Sequence, residues 1–451
     1  MEFEDKLLKK VKSIRSYNKL YNLPIDMFKK AHKKGLKVEN VVETPVKILI
    51  LNATCNGFGD IIFALKLLRY LKEWYNDLVD VKIATNNRKR FLGLIGEDEQ
   101  DNVIRLQLKK KNKEVKGGVR DGRRSGGGED ETQCKRFHQF MSNEELENFD
   151  LYLVAPLTAD FKPDFKEIHT LIKNSNRFNT VFLTEYNMPI HKDILFNVGV
   201  GEKRDGLFLI NKPDVEPNRI PNLDYPYSII YVAQNDDYLE NCYEGYLELL
   251  TSKFKLDRLD IVVPPWLHFE KNISDLSQLI NPHYSKISII EADGEKELII
   301  KEGDGKGEIV IRFDIFPLSF DKMIPLYYHS LPIMLLTGDQ SFTDGLSIRK
   351  EDSVIFYQGL PWKQNFYTSM AKDIPNKFFK SYKTSCGNAN ALRYKPNLSR
   401  FAKKYDFRVI AKGKMDALVM SVGYKSDIYT DVKKVITKSR DLKTVKKKLS
   451  L

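Results

Sequence analysis

The 451-residue sequence contains little cysteine, only four residues spread along the chain with no CxxC pair among them. Zinc sites and disulfide frameworks use closely paired cysteines, so this spacing argues against both and favours a reducing compartment. No run approaches the ~18 consecutive apolar residues of a membrane-spanning helix, and residues 1–15 lack the apolar centre of a secretion signal. We therefore expect a cytoplasmic protein without a transmembrane segment.

Metal-binding patterns are also missing from the sequence. The seven histidines form no HxxxH or HxH pair, and there is no Asp-x-Asp. Closely spaced histidines and carboxylates are the usual ligands of zinc and of catalytic divalent ions. The sequence therefore predicts neither a metal site nor a resident cofactor.

The net charge of +12 is concentrated in two ends and one internal segment. Residues 1–37 contain 11 Lys and Arg against 4 Asp and Glu, residues 109–136 contain 10 against 5, and residues 431–451 contain 8 against 2. The rest of the chain is mildly acidic. This distribution suits contact between the basic termini and an anionic surface, or solvated charge alone, better than a basic cleft for nucleic acid.

The length is about two to three times that of a usual domain, and 42% apolar residues allow each half its own core. The segment at 109–136 is rich in Lys and Gly, and the segment at 212–227 is rich in Pro. The predicted parts are a basic helical extension (1–44), a Rossmann-like acceptor domain (45–211) with a flexible insert (109–136), a linker (212–227), a Rossmann-like nucleotide-sugar domain (228–400) and a C-terminal segment with a basic helix (401–451).

Hydrophobic periodicity predicts an α/β fold in both halves. In the first half, a buried strand (46–51), a glycine turn, a helix (60–74) and a second strand (79–84) form a βαβ unit, which implies a parallel sheet. Further strands are predicted at 151–154, 180–183 and 207–210. The second half alternates strands with helical or turn segments, and the tail from 430 to 451 has the pattern of one helix.

The first candidate site is the turn between the opening strand and its helix. Its glycines permit a tight turn, and the helix N-terminus favours an anion, so Asp60 should remain ionised at the carboxyl edge of the sheet. There it is placed to accept a proton. Asn56, Gly57 and Gly59 are the candidate substrate-binding residues of this turn. The alternative is that Asp60 only caps a helix.

A second strand runs into a Gly-Asp turn and a helix near residue 338. The backbone amides around this turn, together with the hydroxyls of Ser341 and Thr343, are suited to hold a phosphate. The donor-binding candidates are Gly338, Asp339, Gln340, Ser341 and Thr343. Asp339 and Ser341 would equally suit a capped helix start that binds nothing.

Two further residues follow predicted strands in the second half. Lys363 is a candidate for neutralising phosphate charge, although a solvated surface lysine is the alternative. Asp236 follows the first strand of the second domain and is a candidate substrate contact, which turn chemistry explains equally well.

Taken together, these turns resemble those of GT-B glycosyltransferases. Gly59-Asp60 resembles the Gly-Asp of the heptosyltransferase-like group, and the turn at 56–61 is similar to that of bacterial protein-arginine rhamnosyltransferases. Phe320-Asp321, followed by the segment at 335–341, resembles the run before the rhamnosyltransferase donor loop. The resemblance implies two Rossmann-like domains facing each other across a cleft, with inverting transfer from a nucleotide sugar. It also implies that Asp60 is the catalytic base.

Asn56 and Gln340 stand where the rhamnosyltransferases have acidic residues. A catalytically degenerate GT-B-like protein, which engages anionic partners through its basic termini, is therefore the alternative from a different class. A sugar-nucleotide 2-epimerase on the same scaffold is a further alternative. For a transferase, the missing Asp-x-Asp favours metal-independent chemistry, and the acceptor is a glycan, a protein or a small molecule.

Overall fold

The structure is a computed structural model, and it describes most of the chain. The residues outside the description are 1, 17–18, 21, 55–57, 110–136, 158–164, 174–176, 192–193, 212–219, 221, 234–235, 268–279, 295–296, 302, 349–352, 361–362, 374–379, 385–386, 395–402 and 440. Nearly all of the predicted insert and more than half of the predicted linker lie outside the described residues.

The first sheet is entirely parallel within the described part of the chain. Its order is β3-β2-β1-β4-β5, with β1 at the centre. The strands are β1 (Val46–Asn52), β2 (Val79–Thr85), β3 (Val103–Arg105), β4 (Leu151–Leu157) and β5 (Thr180–Thr184). Every residue of β4 and β5 is buried, as expected of parallel strands covered on both faces. We call this sheet and the helices around it the first lobe.

The second sheet has a parallel centre and antiparallel margins. Its order is β13-β14-β12-β11-β6-β7-β10-β8-β9, and β9, β13 and β14 are the antiparallel members. The strands are β6 (Tyr227–Tyr231), β7 (Arg258–Val262), β8 (Tyr284–Ile290), β9 (Glu297–Lys301), β10 (Gly307–Arg312), β11 (Ile333–Leu336), β12 (Val354–Gln358), β13 (Lys380–Thr384) and β14 (Gly387–Tyr394). This sheet and its helices form the second lobe.

Helices connect the strands and extend both ends of the chain. They are α1 (Glu2–Ser13), α2 (Leu23–His32), α3 (Gly59–Tyr75), α4 (Arg88–Leu92), α5 (Phe165–Ile172), α6 (Asp236–Lys253), α7 (Phe320–His329), α8 (Asp339–Ile348), α9 (Gln364–Asp373), α10 (Phe407–Ile410), α11 (Lys412–Gly423), α12 (Asp427–Lys438) and α13 (Leu442–Lys448). The prediction of an α/β fold with two sheets of parallel strands is thus confirmed.

Two predicted elements differ from the structure. The segment 207–210 is not a regular strand, because its backbone bonds go elsewhere: Leu207 pairs with the chain around Asp406, and the Phe208 amide donates to the Tyr186 hydroxyl. The C-terminal tail is two helices rather than one. Asp441 starts the second helix by accepting a hydrogen bond from the Thr444 amide at 2.8 Å.

The two ends of the chain pack against each other beside the first lobe. The ring of Phe3 lies 4.7 Å from that of Phe28 and 5.8 Å from that of Tyr429, measured between centroids. Helix α11 returns to the first lobe, where Asp416 accepts a 2.7 Å hydrogen bond from the Tyr75 hydroxyl. The basic N-terminal segment is therefore partly built into the folded body.

The lobes share an apolar interface. Tyr186 of the first lobe lies 5.6 Å from Phe366 of α9 between ring centroids, and behind it Phe63 and Phe208 lie 4.2 Å apart with their rings tilted by 38°. These residues belong to one continuous buried cluster that extends from the N-terminal helices through both sheets. In the described part of the chain, no helix has both the length and the apolar character needed to cross a membrane.

Candidate functional site

The candidate residues lie beyond the carboxyl ends of strands in both sheets. Asp60 is in the first turn of the helix that follows β1, and Glu185 comes directly after β5. In the second lobe, Asp339 begins the helix after β11, and Lys363 lies between β12 and α9. Open α/β sheets bind their ligands at this edge, so the topology collects polar groups where a ligand would lie.

The first turns of α3 and α8 lie close together. A Cβ added to Gly59 would lie 3.9 Å from Cγ of Gln340. Gly338, just before α8, has a φ of 76°, a left-handed conformation that glycine adopts without strain. The turns that carry Asp60 and Asp339 are thus adjacent, and a ligand of both would lie beside the contact between Gly59 and Gln340.

A buried lysine of α3 ties these helices together. The Nζ of Lys66 lies 2.5 Å from Oδ1 of Asp344 in α8, and both side chains are almost fully buried. The same Nζ donates to Oε1 of Gln340 at 3.0 Å, to Oγ1 of Thr343 at 3.4 Å and to the carbonyl of Phe208 at 3.0 Å. The three N–H groups of Lys66 are therefore shared among one carboxylate and three neutral acceptors, on both sides of the interface.

Burial and pairing act in opposite directions on this pair. Burial lowers the pKa of Lys66 and raises the pKa of Asp344, while the attraction between the two groups opposes both shifts. Removing either partner would leave the other charge desolvated and uncompensated, which is far more costly than the loss of an exposed ion pair. The pair consequently favours the arrangement in which the helices touch.

A second polar cluster joins the lobes through Lys363. Its ammonium group bonds the Glu185 carboxylate of the first lobe and lies 3.0 Å from Oδ2 of Asp339. Burial raises the pKa of Asp339 to about 6, an effect that Glu185 reinforces and that Lys363 and the Tyr357 hydroxyl oppose. Burial alone would lower the pKa of Lys363, but the charges of Asp339 and Glu185 outweigh this effect and raise it. The lysine thus stays charged between two carboxylates.

The second lobe also contacts α3 through Arg69. Arg69 forms a two-pronged ion pair with Asp321 at the start of α7, at 2.8 and 3.2 Å, and bonds Glu99 of the first lobe at 3.0 Å. The amide of Phe320 also donates to the Leu94 carbonyl at 3.1 Å. The Phe-Asp pair noted in the sequence is therefore at the interface between the lobes.

The remaining candidates are placed as follows. Asp60 is half-buried, and its backbone carbonyl accepts a 3.0 Å hydrogen bond from Nδ2 of Asn52. Ser341 is half-buried in the first turn of α8, and Asp236 is the first residue of α6. Asn56 and Gly57 lie outside the described residues.

Four of the candidates predicted to bind the donor bond charged protein groups in this structure. Gln340 and Thr343 accept from Lys66, and Lys363 bonds the carboxylates of Asp339 and Glu185. Their contact with a donor stays a prediction. The backbone of the turn around Gly338 and the half-buried Ser341 form no bond to that lysine.

The sequence analysis missed four residues of the site: Lys66, Arg69, Glu185 and Asp344. One signal was present, because Lys66 interrupts the otherwise apolar stretch from Ile61 to Leu68 and is 2% exposed. A lysine that helical periodicity places on an apolar face requires a buried partner. The identity of that partner could not be read from the sequence.

No group of three histidine, cysteine, aspartate or glutamate side chains that is able to hold a metal ion occurs in the described part of the chain. Comparison of the sequence with models of protein families finds no match, and comparison with curated proteins finds none of significant similarity.

Proposed function

We propose that the protein is a glycosyltransferase, which transfers a sugar from a nucleotide-sugar donor to an acceptor at the edge shared by the two lobes. The observation that carries the proposal is the contact between the turn bearing Asp60 and the turn bearing Asp339, supported by Lys66 and Asp344. A GT-B-like pairing of the lobes would present a proton acceptor and a phosphate-binding helix end to one ligand.

In this proposal Asp60 is the general base. It removes a proton from an acceptor hydroxyl or amide nitrogen as that atom attacks the anomeric carbon of the donor. The glycosidic bond to the nucleoside diphosphate breaks as the new bond forms on the opposite face, so the configuration is inverted. The half-buried setting of Asp60 leaves part of the residue accessible to an acceptor.

The leaving diphosphate would lie at the N-terminus of α8. The amides from Gly338 to Ser341 and the positive end of this ten-residue helix are suited to its developing charge. Asp339 would repel a phosphate if ionised. Because burial raises the pKa of Asp339 to about 6, an approaching anion needs little further shift to protonate it. The protonated carboxyl would then donate a hydrogen bond to a phosphate or sugar oxygen.

Donor turnover is the direct test. UDP-, GDP- and dTDP-sugars are incubated with the full-length protein, and release of the nucleoside diphosphate is followed with and without candidate acceptors. Asp60→Asn is expected to lower turnover by roughly 10²- to 10⁴-fold, the usual contribution of a general base. Asp77→Asn, in the exposed turn that follows the same helix, is the matched control and should leave turnover unchanged.

A catalytically inactive GT-B-like binding protein is the second candidate. It is favoured by Gln340, which stands where the resemblance has an acidic residue and whose side chain instead accepts a buried bond from Lys66. Thermal stabilisation by a nucleoside diphosphate, with no turnover of any donor, would support this candidate. Turnover that survives Asp60→Asn would instead reject the assignment of the base. A cytoplasmic location is part of either proposal.

A further inference from the structure

A cavity of about 470 Å³ lies between α12 and the outer edge of the first sheet, away from the candidate site. Volumes of this order are typical of small-molecule sites. Its polar lining includes Asn179, Lys425, Ser426, Thr430, Lys433 and Lys434. Asp427 is the carboxylate of this lining, so the three lysines leave a positive excess.

Lys433 is the most unusual of these residues. It is 8% exposed, and its Nζ donates to the Ser421 carbonyl at 3.2 Å while lying 5.2 Å from the centre of the Tyr429 ring. In the described part of the chain it forms no ion pair with a carboxylate. Burial lowers its pKa to about 8, against a weak opposing attraction from Asp150. A buried ammonium group without a counter-charge is costly, so an anion bound beside it would be stabilised.

Two other features of the cavity point to a ligand. Oδ1 of Asn179 is buried and has no hydrogen-bond partner among the described residues. If the amide turned towards the cavity, this acceptor would be satisfied by a ligand hydroxyl. The cavity also includes the N-terminus of the 12-residue helix α12, where Ser426 is the cap and where the helix dipole favours negative charge.

A second cavity of about 480 Å³ continues the positive surface along the same helix. The two cavities share Lys434, and the second adds Lys438 and Lys448, with Asp431 as its carboxylate. The lysines line two half-open cavities along one helix. Concavities of this size suit a compact dianion better than an extended nucleic-acid backbone.

We propose that the cavity lined by Lys433 and Lys434 binds a ligand that carries a phosphomonoester group and a neighbouring hydroxyl. The two ammonium groups would hold the phosphate, and Asn179 would accept from the hydroxyl. The same chemistry occurs in soluble sugar or glycerol phosphates and in the headgroup of phosphatidic acid. The site is separate from the edge proposed for glycosyl transfer and does not depend on that activity.

Two binding experiments on the full-length protein test these two sources of the ligand. Calorimetry measures binding of glycerol 3-phosphate. Sedimentation measures binding to phosphatidylcholine vesicles with and without phosphatidic acid. Lys433→Met and Lys434→Met are each expected to weaken binding of the responding probe, by at least about tenfold for the buried residue. Lys443→Met removes the same charge from an exposed position of α13 that lines neither cavity, and it should change affinity less than about twofold.

The pH dependence distinguishes a site at Lys433 from general charge attraction. A phosphomonoester is close to fully dianionic above pH 7.5, because its second pKa is about 6. Above pH 8, binding must return a proton to Lys433, so affinity should fall by up to about tenfold per pH unit. Lys433→Met should abolish this dependence.

Binding to the soluble probe supports a metabolite site, and binding only to vesicles with phosphatidic acid supports a lipid site. Failure of both probes to bind saturably overturns the proposal. So does an equal loss of affinity in Lys443→Met, or binding confined to duplex DNA. If Lys433→Met does not fold, the exposed Lys434→Met variant and the pH profile of the unmodified protein decide the question.

Discussion

Lys66 and Asp344 are brought to 2.5 Å across the interface between the lobes, and each is buried from solvent. Lys66 comes from the helix that follows the first strand of the first sheet, and Asp344 from the helix that follows β11 in the second. The pair therefore lies between the two helices whose first turns form the candidate site.

The ion pair is expected to contribute strongly to stability because of its burial. Lys66→Met should lower the free energy of unfolding by about 3 to 5 kcal/mol, since Asp344 would remain buried without a counter-charge. The double variant Lys66→Met, Asp344→Leu should recover most of this loss, because no unpaired charge is left. Urea unfolding followed by circular dichroism provides the measurement.

Lys72→Met is the control for this experiment, because Lys72 is an exposed lysine of the same helix. Its replacement should change stability by less than about 0.5 kcal/mol. Equal effects of the Lys66 and Lys72 substitutions would show that the buried pair does not hold the lobes together.

Asp339 should make the protein less stable as the pH rises through the mildly acidic range. Burial raises the pKa of Asp339 from 3.8 to about 6, so between these values the folded state binds a proton that the unfolded chain has released. The contribution of this group is therefore most favourable below pH 4 and is lost as the pH approaches and passes 6. Asp339→Asn removes this titration.

Between pH 4 and pH 7, the stability of Asp339→Asn relative to the unmodified protein should increase by about 2 kcal/mol. Asp80→Asn alters an exposed aspartate of β2 and should show no such trend. Denaturant unfolding at half-unit pH steps measures the difference. A constant difference across this range would mean that Asp339 has an ordinary pKa in the folded protein.

Gly206 should be intolerant of alanine because of where the C-terminal segment crosses the first lobe. Its φ is 90°, and an added Cβ would lie 2.6 Å from the Tyr405 carbonyl oxygen. Gly206→Ala is expected to cost roughly 2 to 4 kcal/mol, from the left-handed backbone and from overpacking together.

Gly35→Ala separates these two causes. Gly35 has a φ of 96° but open space around the position of a Cβ, so its replacement should cost only about 1 kcal/mol. Thermal unfolding of the two variants gives the comparison. If both lost the same stability, the close approach of residues 405–407 would not matter energetically.

The parallel sheets were predictable because their signals are local. The β-branched run that forms β1 and the helical spacing of apolar residues in α3 identify a βαβ unit without knowledge of any partner. The segment 207–210 has similar composition, yet its amides at Phe208 and Ile210 donate to the side chains of Tyr186 and Ser347. Such remote hydrogen bonds leave no periodic trace in the sequence.

The candidate site was predictable only at its turns. The pattern of a buried strand followed by a glycine turn and a helix identifies four residues: Gly59, Asp60, Gly338 and Asp339. The bonds that join the turns depend on Lys66 meeting a carboxylate far away in the chain. Sequence reasoning could have noticed a lysine among apolar neighbours, but selecting Asp344 from the many acidic residues requires the packing of α3 against α8.

Helix α3 has a mechanical consequence for the site. Asp60 lies in its first turn, and the side chains of Lys66 and Arg69, about 1.7 and 2.5 turns further on, anchor the same helix in the opposite lobe. A tilt of that lobe that keeps both ion pairs would move helix α3, and Asp60 with it. The position of the second lobe and the orientation of the Asp60 carboxylate are therefore coupled through one helix.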